Sequence, residues 1–355
     1  MPNQRCIAST RTLTDIANAI RAQNGENRRY RPGEMADAIA ALDGSGSGGM
    51  QYPYDTTKYG AMTVVPYTDM ANAIRGQNGE TREYRPSEMA GAILELEWRS
   101  YDAYAIAVKS QVTSGKYDLY FIRSYVAPKV GECWGEQSIA HVYSGFEDTE
   151  YTSNSQVPWY SLHDDIVSVY FEAAIKPISC AYWFYMFRNC TYFALGLLDT
   201  SRATSLAFMF YYCSNVTSLN LSNFVTTNVT SINYMFYFCT KLTTLTMGNW
   251  DMTNLQVVAQ AFRNMTSLVV LDLSGWTMPE WTSTMQYTFY NCSKLTTIYV
   301  PAGCDLSDTA VNSYCFSSCS KLVGGAGTVY DSANVTADMA RVDGLGGKPG
   351  YFTAK

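Results

Sequence analysis

One short sequence motif recurs along the second half of the chain, and it constrains the fold more than any other feature. The motif is Phe, two variable residues and Cys, followed by an apolar residue and a hydroxyl-rich turn. Its phenylalanines are read as Phe187, Phe210, Phe236, Phe262, Phe289 and Phe316. A period of about 26 residues lies in the range of stacked repeats. A unit this short cannot bury its apolar face alone, so neighbouring units must stack to form a core.

A second motif lies between copies of the first, and in it apolar and polar residues alternate. It reads Leu219-Asn220-Leu221 and recurs at 245–247, 271–273 and 298–300. Alternation with period 2 predicts a half-buried strand. We therefore expect each repeat to combine one short strand with one short helical turn that carries the Phe and the Cys.

Two rows of residues are candidates for ligand binding. The first is the outward row of the strands, because flanking apolar residues point inward; it comprises Asn220, Thr246, Asp272 and Tyr299, with Ala194 as the equivalent in the first repeat. The second lies between the Phe and the Cys, and its predicted ligand-binding members are Tyr211, Tyr212, Tyr237, Arg263 and Tyr290. Mixed Tyr, Arg and Asn are typical of recognition surfaces. The alternative is that these tyrosines only pack between repeats.

The ten cysteines do not read as a disulfide framework. Five of them occupy what reads as one repeat position, where Met265 replaces them once: Cys190, Cys213, Cys239, Cys292 and Cys319. A methionine can fill a core position but cannot replace a disulfide partner, so we predict a ladder of buried thiols. No pair of Cys-x-x-Cys knuckles indicates zinc, and we expect no metal and no cofactor.

The charge and the hydropathy of the chain exclude some classes of partner. The formal net charge is −6, which argues against nucleic acid as a partner. The first twenty residues lack the apolar core of a secretory signal, and no apolar run is long enough to span a bilayer. We therefore expect a soluble protein made in the cytoplasm without membrane insertion.

The N-terminal part contains a duplicated module. Residues 14–42 (TDIANAIRAQNGENRRYRPGEMADAIAAL) and 68–96 (TDMANAIRGQNGETREYRPSEMAGAILEL) are near copies, each with the caps and apolar spacing of two short helices. Two helices of this length cannot form a stable core alone, so the modules are predicted to dock on partner proteins.

Short β-type runs follow the modules, at 104–108, 117–122, 139–143 and 166–171. The predicted domains are therefore a helical module (1–43), a flexible linker (44–66), a second helical module (67–98), a β-rich cap (99–180), the repeats (181–322) and a C-terminal cap (323–355).

The repeat resembles a known family. The pattern Phe-x-x-Cys-x-x-Leu-x-x-Leu-x-Leu, with Thr227-Asn228-Val229-Thr230-Ser231 between units, is similar to the BspA-type leucine-rich repeats of bacterial surface proteins. The resemblance covers about 101–355 and implies an α/β leucine-rich-repeat solenoid, a β-rich N-terminal cap and an adhesive function without catalytic residues. The duplicated module resembles segments of tail-associated phage proteins.

An enzymatic function is a further alternative. The chain has two histidines, His141 and His163, and His163-Asp164-Asp165 is the single His-acid cluster. Acid-base or metal chemistry needs convergent partners, and the sequence supplies none. We predict that the chain is not an enzyme.

Taken together, these features predict a receptor-binding or adhesion protein of a phage tail fibre or tail tip, located in the virion. Its repeats would recognise a host cell-surface protein or glycan, its N-terminal modules would bind other tail or virion proteins, and the fibre analogy predicts a homotrimer. The alternatives are a structural virion or assembly protein and a bacterial cell-surface adhesin.

Overall fold

A computed structural model describes residues 102–124, 127–277, 285–308 and 313–355. The predicted helical modules, 1–43 and 67–98, and the linker between them lie outside the described residues. The chain divides into two compact units, one containing 122–142 and the stretch up to Ile106, the other formed by 107–121 and 143–355.

Strands are the main regular elements. They are β1 (Asp102–Lys109), β2 (Tyr117–Ser124), β3 (Cys133–Trp134), β4 (Gln137–Ser144), β5 (Ile166–Phe171), β6 (Tyr192–Ala194), β7 (Ser218–Leu221), β8 (Thr244–Met247), β9 (Val270–Asp272), β10 (Thr297–Val300) and β11 (Phe352–Ala354). Four 3₁₀ turns occupy Asn154–Gln156, Tyr160–Leu162, Ala337–Met339 and Leu345–Gly347. The predicted strands of the β-rich segment and of the repeats are confirmed.

The first unit contains an antiparallel hairpin. Strand β3 pairs with β4, with Cys133 opposite Ser138. The hairpin is closed beyond the strand by mutual backbone bonds, as Ile139 donates to Glu132 and Gly131 donates to Ile139 at 2.8 and 2.9 Å.

In the second unit, strands β2, β5 and β6 pair in parallel. A buried aromatic cluster lies beside them, and Phe121 is at its centre. Its ring stacks on Trp183 and Phe171 at 5.4 and 4.4 Å and meets Trp159 edge-on at 5.1 Å. The Trp159 indole also donates to the Trp183 carbonyl at 2.6 Å. The cluster therefore ties the β-rich segment to the first repeat.

The repeats pair with one another in parallel. Strand β7 pairs with β8, and β10 pairs with both β9 and β11. Each repeat also has a turn segment, which we define as the stretch around its Phe and Cys: 180–190, 206–213, 232–239, 258–265, 285–292 and 313–319.

The predicted α/β leucine-rich-repeat solenoid with one helix per repeat is wrong. The described residues form parallel and antiparallel strands, and no α-helix occurs among them. In the turn segment 206–213, alternate N–H groups donate to the next repeat, as Phe210 does to Met235 at 2.9 Å, while Tyr211 donates back to Phe208 at 3.2 Å. An α-helix would need every N–H for its own i−4 carbonyl.

Positive φ angles reinforce this pattern. Each turn segment has two non-glycine residues in the left-handed region, for example Phe208 and Tyr212, both at 59°. Such a conformation costs a non-glycine residue roughly 1–2 kcal/mol and interrupts any right-handed helix. The turns are held instead by bonds between repeats and by the packing of their side chains.

Two ladders fill the interior. The rings of Phe210, Phe236, Phe262, Phe289 and Phe316 follow one another at 5.3 to 5.8 Å, all buried. Beside them lies a ladder of cysteine side chains, one from each of several repeats. Each of these thiols donates a hydrogen bond to the carbonyl oxygen of the Phe in the preceding repeat, as Cys213 does to Phe184 at 3.2 Å and Cys319 does to Phe289 at 2.9 Å.

The C-terminal segment covers the last repeat. Tyr351 and Phe352 pack against the ring of Phe316 at 5.2 and 6.1 Å. The Asp343 carboxylate organises this segment by accepting bonds from the backbone of Ala326, Thr328 and Gly350 and from the Thr328 hydroxyl.

Candidate binding surface

The turn segments bring partly exposed aromatic rings together on one surface, which we call the aromatic face. Its members lie in three columns, and each column takes at most one residue from each repeat. The first column is Tyr182, Phe208, Tyr234, Gln260, Tyr287 and Tyr314; the second is Tyr185, Tyr211, Tyr237, Arg263 and Tyr290; the third is Tyr212, Phe238, Asn264 and Asn291.

The rings within a column are stacked nearly parallel. Tyr211 lies 4.6 Å from Tyr185 with an interplanar angle of 3°, and 4.7 Å from Tyr237 with an angle of 4°. Phe208 is covered in the same way by Tyr182 and Tyr234, at 4.6 and 4.7 Å. Both faces of an internal ring are thus occupied by protein, and the face presents ring edges and hydroxyls outward.

Neighbouring columns are in contact, so the surface is continuous. The ring centroids of Tyr234 and Tyr237 are 5.4 Å apart, and those of Tyr237 and Phe238 are 4.8 Å apart. Burial raises the pKa of Tyr211 and of Tyr237. These phenols therefore stay protonated and can donate as well as accept hydrogen bonds at neutral pH.

Four of the five predicted turn residues share the second column. Tyr211, Tyr237, Arg263 and Tyr290 follow one another in it, while Tyr212 lies in the third column next to Phe238 at 4.5 Å. All are partly exposed. The packing between repeats that was the alternative is observed for these tyrosines, while ligand binding at them stays a prediction that their partial exposure allows.

The side chains of the predicted strand row make contacts within the chain. Asn220 is opposite Thr246 on β7 and β8, and Asp272 is opposite Tyr299 on β9 and β10. The Asn220 side-chain oxygen accepts a hydrogen bond from a backbone N–H of its own turn at 3.1 Å, and the Asp272 carboxylate accepts one from the Ser274 backbone N–H at 3.0 Å.

The C-terminal residue covers the far end of this row. Lys355 pairs with Asp272, and its ammonium lies 5.1 Å from the Tyr299 ring. Of the four strand residues, Thr246 alone has no contact of this kind among the described residues. Three of the four strand residues are therefore held by contacts within the chain.

The register of the first repeat differs from that read in the sequence. Phe184, not Phe187, is equivalent to Phe210: the two rings are 5.5 Å apart. Phe187 therefore occupies the position of Cys213, and Cys190 lies outside the ladder, where it donates to Tyr192.

Sequence reasoning missed the first column. Its signal was present, because an aromatic residue precedes the core Phe by two positions in five of six repeats, as in Tyr234-Met235-Phe236.

The prediction of buried thiols is confirmed. The cysteines of the described residues are free and buried, and Met265 is fully buried in their ladder. Burial raises the pKa of Cys319 to about 12 and the pKa of Cys213 well above its usual value. The exposed Asn228 also links two repeats, since its side chain donates to the Ser201 carbonyl at 2.8 Å.

These thiols should resist alkylation in the folded protein. Since the thiolate is the reactive form, we expect iodoacetamide at pH 8.5 to leave Cys213, Cys239, Cys292 and Cys319 unmodified, and to modify them in denaturant. Peptide mass spectrometry measures this directly. Rapid labelling of Cys239 under native conditions would contradict the buried ladder.

The histidine cluster is occupied by its own neighbours. In His163, Nδ1 lies 2.9 Å from the Tyr160 carbonyl oxygen and Nε2 lies 3.2 Å from an Asp164 carboxylate oxygen. Neither ring nitrogen is open to a substrate.

A cavity of about 10 Å³ among Phe262, Trp276 and Phe289 has room for no more than one water.

Two further features are absent from the ranges that the structure describes. No group of three His, Cys, Asp or Glu side chains there could hold a metal ion. None of the helices in those ranges combines the length and the apolar character needed to cross a bilayer.

Comparison with known proteins gives one match. Residues 182–299 match the family described as "Mycoplasma protein of unknown function, DUF285", which is about a third of the chain. The matched segment contains most of the aromatic face. No curated protein and no solved structure matches the chain.

Proposed function

We propose that this chain is a non-enzymatic receptor-binding or adhesion protein, and that the aromatic face is its contact surface. Its partner would be a host cell-surface protein or glycan, and its place would be a phage tail fibre or tail tip. The observation that carries the proposal is the continuous surface of partly exposed tyrosines. Tyrosine supplies large, rigid contact area together with a polar group at low entropic cost.

The size and regularity of the face support binding over a purely structural role for these rings. If packing alone selected them, phenylalanine would serve as well, yet nine of the eleven aromatic rings in the three columns are tyrosines. A phenol on a partly exposed ring edge adds a donor and an acceptor that a partner can use. The duplicated N-terminal modules would then serve for attachment to the particle.

The proposal is tested by binding of the labelled full chain to a panel of intact bacteria. Tyr237→Ala removes a ring from the middle of the second column, and we expect at least a tenfold loss of affinity because buried aromatic anchors carry about 2 kcal/mol or more of a typical interface. Circular dichroism establishes that the variant is folded.

A matched control comes from the strand row. Tyr299→Ala also removes one partly exposed tyrosine ring but lies outside the aromatic face, and we expect it to bind as the parent does. If Tyr299→Ala lost binding while Tyr237→Ala kept it, the strand row and not the aromatic face would be the contact surface. Uniform absence of cell binding would favour a structural virion protein.

A further inference from the structure

One repeat of the aromatic face differs from the others. Both neighbouring repeats place rings in the first two columns, where this repeat has Gln260 and Arg263. In the third column Asn264 follows Phe238. The Arg263 guanidinium lies 5.5 Å from the Tyr237 ring centre and 4.7 Å from that of Tyr290. Arg263 thus continues the second column as a stacked cation.

A stacked guanidinium keeps its in-plane N–H donors for other partners. One Nη donates to the Gln260 side chain at 2.8 Å, which itself donates to the Tyr234 hydroxyl. The Nε atom is buried and has no hydrogen-bond partner. The second Nη makes no hydrogen bond within the described part of the chain, and Arg263 is partly exposed, so this donor group is unused by the described residues.

Arg263 also lacks a counter-ion. Arg202 pairs with Asp148 at 2.6 Å, and Arg341 lies 3.9 Å from Asp305. No carboxylate of the described residues lies within ion-pair distance of Arg263, although the whole chain carries a net charge of −6. A partly buried cation is costly unless an anion with good geometry meets it.

We propose that Arg263 binds the carboxylate of an acidic glycan that lies along the aromatic face. This inference rests on the proposed function and specifies its ligand. The planar guanidinium matches a carboxylate through paired N–H donors. On either side, the phenols of Tyr237 and Tyr290 can donate to and accept from sugar hydroxyls.

The backbone favours a glycan over an acidic peptide. An extended peptide commonly binds by adding a strand to an open edge. In this segment, Gln260, Phe262 and Asn264 donate their N–H groups to the next repeat at 2.8 to 3.0 Å, so no edge is open. Phenol edges and side-chain amides, by contrast, suit a ligand whose surface is mainly hydroxyl.

The test uses the full chain and one polymer in two charge states. The acidic probe is polygalacturonate, and the neutral probe is the same polymer after complete methyl esterification. We expect the chain to bind the acidic form at least about tenfold more tightly, which is the gain of one good charged pair, and to lose this preference at high salt.

Three variants assign the preference to Arg263. Arg263→Gln should bind both polymers equally, and Arg263→Lys, which keeps the charge but not the fork, should recover part of the preference. Arg202→Gln removes an exposed arginine with its own carboxylate partner and should behave as the parent. Thermal unfolding establishes that each variant is folded.

The proposal is overturned if the parent binds both polymers equally or neither, if Arg263→Gln keeps the preference, or if polyglutamate binds as tightly as polygalacturonate. Its failure is distinguishable from that of the proposed function. Tyr237-dependent binding to cells without a preference for the acidic polymer leaves the aromatic face as the contact surface and rejects the acidic glycan. An Arg263-dependent preference for the acidic polymer without any binding to cells keeps the acidic-glycan site and rejects cell adhesion as the function.

Discussion

Replacing Phe236 by alanine lowers the free energy of unfolding by about 3–5 kcal/mol, the usual cost of deleting a buried phenylalanine ring. Phe236 is fully buried between Phe210 and Phe262, at 5.8 and 5.6 Å. The repeats on both sides would face the cavity, so little relaxation can fill it. Chemical denaturation followed by circular dichroism measures the loss.

Phe208 provides the matched control. It is the same residue type in the neighbouring repeat, but it belongs to the aromatic face and is partly exposed. Phe208→Ala should cost about 1–2 kcal/mol, because it removes stacking contacts without leaving a closed cavity. Equal losses for the two variants would mean that the interior ladder is not the main source of stability.

Gly350→Ala releases the C-terminal segment and lowers the free energy of unfolding by about 1–3 kcal/mol, as expected of an added methyl in a space that is already full. A Cβ at this position would lie 2.3 Å from the Arg341 carbonyl oxygen, and backbone cannot move aside easily. The shift would also disturb the 3.2 Å bond from the Gly350 N–H to Asp343.

Limited proteolysis gives a local readout of the same variant. Cleavage within 323–355 should become faster than cleavage within the repeats. Gly196→Ala is the control, because a Cβ there meets no atom within 4 Å, and it should change stability by no more than about 0.5 kcal/mol. Comparable effects of the two substitutions would show that the close approach at Gly350 does not hold the segment.

The sequence predicted the strands of the repeats well because their alternation is local. The interior position of the thiols was also predictable, since Met265 can replace a packed cysteine but not a bonded one. The helical turns were wrong for a physical reason. Spacing of Phe and Cys by three residues fits a helical turn, but it fits equally well a segment whose alternate N–H groups bond the next repeat.

The aromatic face was predicted in part. Tyr211, Tyr237 and Arg263 were identified because they vary inside a fixed frame, but the stacking of their rings depends on contacts between repeats about 26 residues apart, as for Tyr211 and Tyr237. The left-handed backbone at Phe208 and Tyr234 has no sequence signal of its own, since aromatic residues rarely adopt it.

Hydroxyl-radical footprinting of the chain bound to cells tests the central claim most directly. The account predicts that Tyr211, Tyr237 and Tyr290 become protected from oxidation on binding. Tyr192, which is 54% exposed and belongs to β6 outside the aromatic face, should keep its reactivity. Protection of Tyr192 and Tyr299, with unchanged oxidation of the aromatic face, would contradict the account.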